Sequence, residues 1–188
     1  MKVILVGCEY AGTTTLAHEI HRWNNDVMDK GMLLFHDHWK LPFTSGHQEW
    51  DPLLAPTEEE QEQVLALSPK LKEMHQRHSL WYHTAPDALR GDDYMSVGLH
   101  IEDAIYGPMY FGYGEEGGIT GDRKVVSGLI DGHILEYAPE AVLVLVQASP
   151  QVIRRRMKDS PHRHQVIRDE DVEHVLQRFE EEYQGSPI

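Results

Sequence analysis

The chain has 188 residues, 40% hydrophobic and 26% charged, which is enough for one domain with a full core. Its formal net charge of −14, from 31 acids against 17 bases, argues against a general affinity for nucleic acid or anionic membrane, because no basic excess exists to displace counterions. The one cysteine, Cys8, excludes an internal disulfide framework and a cysteine-rich zinc site. The opening run MKVILVGCEY is too short for a signal peptide or a membrane span, and no other stretch is long enough, so a soluble, cytoplasmic protein is the expectation.

In chain order, residues 2–6 form a continuous apolar run, the pattern of a strand buried on both faces of a parallel sheet. Leu16, Ile20 and Trp23 then recur at helical spacing, with Thr13, Thr14 and Thr15 as hydroxyls at the amino end of a helix over 13–23. A second strand is expected at 32–35, delivering His36, Asp37 and His38, and a Pro/Gly/Ser-rich loop at 40–56. Thr57 followed by three glutamates reads as a capped helix start. A helix over 69–84 carries Leu71, Met74, His75, His78 and Tyr82 on one side, and is followed by a strand at 94–99 and a helix over 102–111. Five glycines mark 112–121 as a flexible loop.

The stretch 125–137 contains VVSGLI, which passes for a strand in isolation. Val125, Val126, Leu129, Ile130, His133, Ile134 and Tyr137, however, recur with the steps of a helix face. Pro139 ends it, and residues 141–146 make a fourth strand. Ser149-Pro150 opens a helix bearing Arg154, Arg155 and Arg156, and an amphipathic helix spans about 169–183. Strands alternating with helices over the whole length predict one α/β domain, a parallel sheet with helices on both faces.

The segment VILVGCEYAGTTTLAHEI places Gly7, Gly12 and Thr14 in the pattern G-x-x-x-x-G-K-[ST], with Thr13 where lysine stands. A glycine-rich turn between a buried strand and a helix aims backbone N–H groups at an anion. Here, and in DGHILEYAPEAVLVLVQASPQVIRRRM, the chain resembles the P-loop nucleoside and nucleotide kinases over nearly its whole length. The resemblance implies a three-layer P-loop NTPase fold of about four or five parallel strands, a single domain over 1–188, and a lid around 154–168. It implies transfer of the terminal phosphoryl of ATP, with Mg2+, to a nucleoside, nucleotide or other small hydroxyl acceptor. Gly7, Ala11, Gly12, Thr13, Thr14 and Thr15, with Arg155 and Arg163, would bind the donor, and Thr14 the metal. Arg154 and Arg156 would stabilise the transferred charge, with Arg168 in or beyond the lid. Asp37 or Glu102 would meet the acceptor hydroxyl, and Tyr106, Tyr110, Phe111 and Tyr113 lie beside that site in sequence. The implied partners are a nucleotide and a small acceptor, with no nucleic acid and no membrane; a homodimer stays open.

The missing lysine leaves three explanations: a lid arginine replaces it, the protein binds nucleotide without turnover, or the donor is not a nucleoside triphosphate. AGTTTL also resembles the phosphosulfate loop of PAPS-dependent sulfotransferases, although Tyr10 stands at their lysine and Gln147 near their arginine. His75, His78 and Tyr82 share a helix spacing able to chelate zinc, but no further ligands follow by spacing. Cys8 reads as a small residue fitting the turn, and His162 and His164 as candidates to join the arginines. No G-x-S-x-G elbow supports a hydrolase triad.

Overall fold

The run after Met1 forms β1 (Lys2–Val6), and Gly12 opens helix α1 (Thr13–Asp26). The structure, a computed structural model, describes residues 1–29, 34–36 (backbone), 41–43, 56–91, 93–118 and 121–188. After β2 (Leu34–His36) come α2 (Glu58–Ala66), α3 (Pro69–His83), α4 (Pro86–Arg90), β3 (Tyr94–Val97) and α5 (Leu99–Tyr106). A π-helical turn over Gly107–Phe111 extends α5; α6 (Arg123–Tyr137), β4 (Val142–Leu145), α7 (Pro150–Asp159) and α8 (Val172–Gly185) follow.

The four strands pair in parallel in the order β2-β3-β1-β4. Period-two alternation divides their side chains between two cores. Leu5, Met95 and Val97 meet Ala17 and Ile20 of α1 on one face. Ile4, Val6, Tyr94 and Leu143 face the larger core, filled from α5, α6, α7 and α8 by residues such as Ile105, Ile134, Ile153 and Phe179. The architecture is therefore α/β, one parallel sheet with helices on both faces, as the alternation of patterns predicts.

Local signals hold at several helix starts. Thr57 and Glu60 form a reciprocal capping box, with Thr57 N–H on the Glu60 carboxylate at 2.7 Å and Glu60 N–H on the Thr57 hydroxyl at 3.3 Å. Ser149 caps α7 with Pro150 in its first turn. The cap of α1 differs from expectation: it is Gly12, with no side-chain bond, rather than a threonine hydroxyl.

One helix face also differs, and a second differs at its edge. On α3, Leu71, Met74 and Tyr82 are exposed, while Glu73, Gln76, Ser79, Leu80 and His83 are buried. On α6, Val125 and Leu129 are exposed, while Arg123, Ser127, Ile130, Asp131 and Ile134 face inward. The cause is a buried charge. Arg123, 1% exposed, lies 2.9 Å from Asp103 and 3.2 Å from Glu73, with its guanidinium over the Tyr113 ring. Tyr113 donates to Asp103 at 2.7 Å. A buried guanidinium must be matched by carboxylates, so α3 turns polar residues inward.

Candidate functional site

The β1–α1 loop lies at the carboxyl end of β1, the strand flanked by β3 and β4. Tyr10 (φ 68°) and Gly12 (φ 106°) both adopt positive φ, and Ala11 N–H closes a turn on the Cys8 carbonyl at 2.8 Å. Gly7 is there for space: a Cβ would lie 2.5 Å from the Val146 carbonyl oxygen. Gly12 caps α1 with no side-chain hydrogen bond.

Beside this helix end is a cleft of about 630 Å³. Its walls are Gly12, Thr13, Thr14 and Thr15 on one side, Glu102 and Tyr106 of α5 on another, and Arg156 with residues 160 and 162–164 above. Glu102 is held there by an unusual junction. Gly98 (φ 88°) and Leu99 (φ 46°) turn the chain sharply between β3 and α5, and a Cβ on Gly98 would collide with the Glu102 carboxyl group. A leucine at positive φ costs about 1–3 kcal/mol, a strain found most often at functional sites.

The loop is fastened to the segment that follows α7. Glu9, buried, accepts N–H bonds from Val166 (2.8 Å) and Ile167 (3.2 Å) and lies 2.8 Å from Nδ1 of His162. The Tyr10 hydroxyl accepts from His162 N–H at 2.8 Å and donates to Gln165 at 2.9 Å, and its ring stacks on His162 at 4.1 Å. From below, Glu9 N–H donates to the Tyr106 hydroxyl at 2.9 Å. Burial, above all, pushes the Tyr106 phenol well above its ordinary value, so it stays a neutral acceptor; burial also raises Tyr10. The Glu9 carboxylate therefore ties the loop to 162–167 at the edge of the cleft that it helps to line.

Of the residues singled out from sequence, Gly12, Thr13, Thr14, Thr15, Glu102, Arg156, Arg163, His162 and His164 all line this one cleft. Gly7 and Ala11 shape the loop behind it. Arg163 pairs with Glu58 on α2, and His164 Nε2 lies 2.9 Å from the Gln61 side-chain oxygen. Arg154 does not join them: it grips Glu173 through both terminal nitrogens (2.7 and 2.6 Å) and Asp169 through Nε (3.1 Å). Arg155 is exposed outside the cleft, and Arg168 sits over the Tyr110 ring. Of the aromatic candidates Tyr106 alone lines the cleft; Phe111 and Tyr113 are core, and Tyr110 donates to Asp171 at 3.1 Å. Asp37 and His38 lie outside the described residues. The arginines expected in a lid stand on helix α7, so the irregular part of that region is 160–168. Cys8 is buried behind the loop and lines a separate small cavity with Val146 and Ala148.

Sequence reasoning missed Glu9 and the second role of Tyr10. The signal was present: an acid inside a loop expected to bind an anion contradicts that expectation unless something else claims the charge. Among the described residues, no group of three or more His, Cys, Asp or Glu is placed to hold a metal ion, and no helix is long and apolar enough to cross a membrane. Compared with known proteins, the chain matches no family model and no curated relative.

Proposed function

We propose that this chain is a small-molecule kinase of the P-loop type, moving the terminal phosphoryl group of ATP to a hydroxyl of a small acceptor. The observation that carries the reading is a juxtaposition: the uncapped amino end of α1 and the carboxylate of Glu102 share one cleft with Arg156. The strand order β2-β3-β1-β4, with the loop on a central strand, supports the three-layer P-loop fold for the same chain.

In this reading the acceptor oxygen attacks the terminal phosphorus, the bond to the bridging oxygen breaks, and the nucleoside diphosphate leaves with that electron pair. The acceptor proton passes to Glu102. The amides of Gly12–Thr15 hold the donor phosphates. A magnesium ion would be held by the Thr14 hydroxyl and would supply charge neutralisation on the donor.

The test is thermal shift with ATP and ADP, each with and without Mg2+, alongside 3′-phosphoadenosine 5′-phosphate. Stabilisation by ATP or ADP, at ~2.7 kcal/mol for ~100 times the dissociation constant, is the expected result. It should vanish in Thr14→Ala and persist in His75→Ala. Stabilisation by the 3′-phosphorylated nucleotide alone would point to sulfuryl transfer instead, and silence from every ligand would sink the nucleotide reading.

A further inference from the structure

A phosphate loop without its lysine needs a positive charge from elsewhere, and helix α7 offers three in a row. Successive residues on a helix point ~100° apart, so Arg154, Arg155 and Arg156 leave α7 in three directions. The buried Ile153 and Met157 set which ones. Arg154 leaves on the flank facing α8 and is neutralised by Glu173 and Asp169. Arg155 faces outward. Arg156 leaves on the opposite flank and reaches the loop.

There its Nη1 donates to two consecutive loop carbonyls, Tyr10 O at 2.7 Å and Ala11 O at 2.9 Å. The same nitrogen would stand 3.4 Å from a Cβ on Gly12, so it lies against the turn that opens α1. Those two bonds use both hydrogens of Nη1. The donors on Nε and Nη2 are engaged by no described residue, and the side chain stays open to the cleft. A guanidinium remains charged at any working pH and matches phosphate oxygens as a fork. The Thr13 methyl, meanwhile, points back toward Gly7.

We infer that Arg156 takes the place of the missing loop lysine: bonded to the loop backbone through Nη1, it presents Nε and Nη2 to the terminal phosphates of a nucleoside triphosphate. The inference rests on the kinase reading and names the residue that makes a lysine-free loop workable. During transfer Arg156 forms and breaks no covalent bond. It neutralises charge as the bond between the terminal phosphorus and the bridging oxygen breaks and the diphosphate leaves with the electrons. The anchoring carbonyls keep the guanidinium in place before the ligand arrives, so little ordering cost remains on binding.

The test is an exchange of cations. ATP affinity, with Mg2+, is measured by calorimetry for the full chain, for Arg156→Ala, for Thr13→Lys/Arg156→Ala, and for Lys158→Ala as a same-helix charge control. Arg156→Gln, which keeps a donor for the loop carbonyls while removing the charge, stands in if Arg156→Ala fails to fold by circular dichroism. The expected result is a tenfold to hundredfold loss of ATP affinity in Arg156→Ala or Arg156→Gln, with adenosine binding changed less than twofold. Lys158→Ala should match the native chain, and the double variant should recover to within a few fold of it. An unchanged ATP affinity in the folded Arg156 variants overturns the inference, as does a double variant no better than Arg156→Ala. Failure of the native chain itself to bind ATP overturns the kinase reading and the inference with it, so the two failures are distinguishable.

Discussion

Oε1 of Glu9 lies 2.8 Å from Nδ1 of His162, so a residue in the middle of the β1–α1 loop is tied to a segment that lines the cleft. Its other oxygen holds the amides of Val166 and Ile167. Removing the carboxylate strands buried donors. Glu9→Ala is expected to cost about 2–3 kcal/mol and to speed amide hydrogen exchange across 162–168, whereas Glu9→Gln, still able to accept, should lose less. Exchange unchanged in Glu9→Ala would mean that the segment is held by something else.

Two glycines make opposite predictions. A Cβ on Gly7 would stand 2.5 Å from the Val146 carbonyl oxygen, so the ends of β1 and β4 must part to admit it. Gly7→Ala should cost about 1–3 kcal/mol and abolish stabilisation by nucleotide, both read in one thermal melt. Gly128, on the exposed side of α6, has open space around its Cβ position. Gly128→Ala should add about 0.5–1 kcal/mol through helix propensity alone. A stabilised Gly7→Ala would contradict the close approach.

Arg123 of α6 is the buried cation that faces the polar side of α3. Arg123→Met leaves Asp103 without its cation and Glu73 with Arg77 alone, and the expected loss in urea unfolding at neutral pH is about 3–5 kcal/mol. A loss below about 1 kcal/mol would show that the network does not hold the polar face of α3 inside.

Acid lability has identifiable sources. The Thr57 backbone N–H, followed by its hydroxyl, holds the Glu60 carboxyl below its ordinary value. The Gly117 N–H, with those of Val125 and Lys124, does the same for Asp122 at the start of α6. For a carboxyl lowered in the folded state, the unfolded chain binds more protons as the medium acidifies. The contribution is therefore present above the unfolded pKa, about 4.3 for Glu and 3.9 for Asp, and is lost as pH falls through the folded value. Urea midpoints should drop below about pH 4.5, and Glu60→Gln with Asp122→Asn should flatten that part of the profile. An identical acid limb in the double variant would assign it to other carboxylates.

The sequence by itself determined what depends on neighbours along the chain. The apolar runs of β1 and β4, the capping box at Thr57, the Ser149-Pro150 helix start and the glycine turn at Gly7–Gly12 are each written within a few residues, because hydrogen bonding and chain geometry act at that range. From the alternation of these elements the parallel sheet followed. Only the tertiary structure decided which sides of the helices face inward. Apolar periodicity on α3 pointed to the wrong side, because a buried arginine drew in the carboxylate of Glu73; on α6 it found Ile130 and Ile134 but missed Arg123, Ser127 and Asp131, and no periodicity measures that need. The same holds at the site. Three consecutive arginines are equivalent as letters, but ~100° of helical rotation sends Arg154 to an acidic pair on α8 and the preceding turn, Arg155 to solvent and Arg156 to the loop carbonyls. Glu9 was legible as an anomaly, an acid where an anion should bind; its partners, more than 150 residues away, exist only because the sheet brings the segment after α7 over the loop.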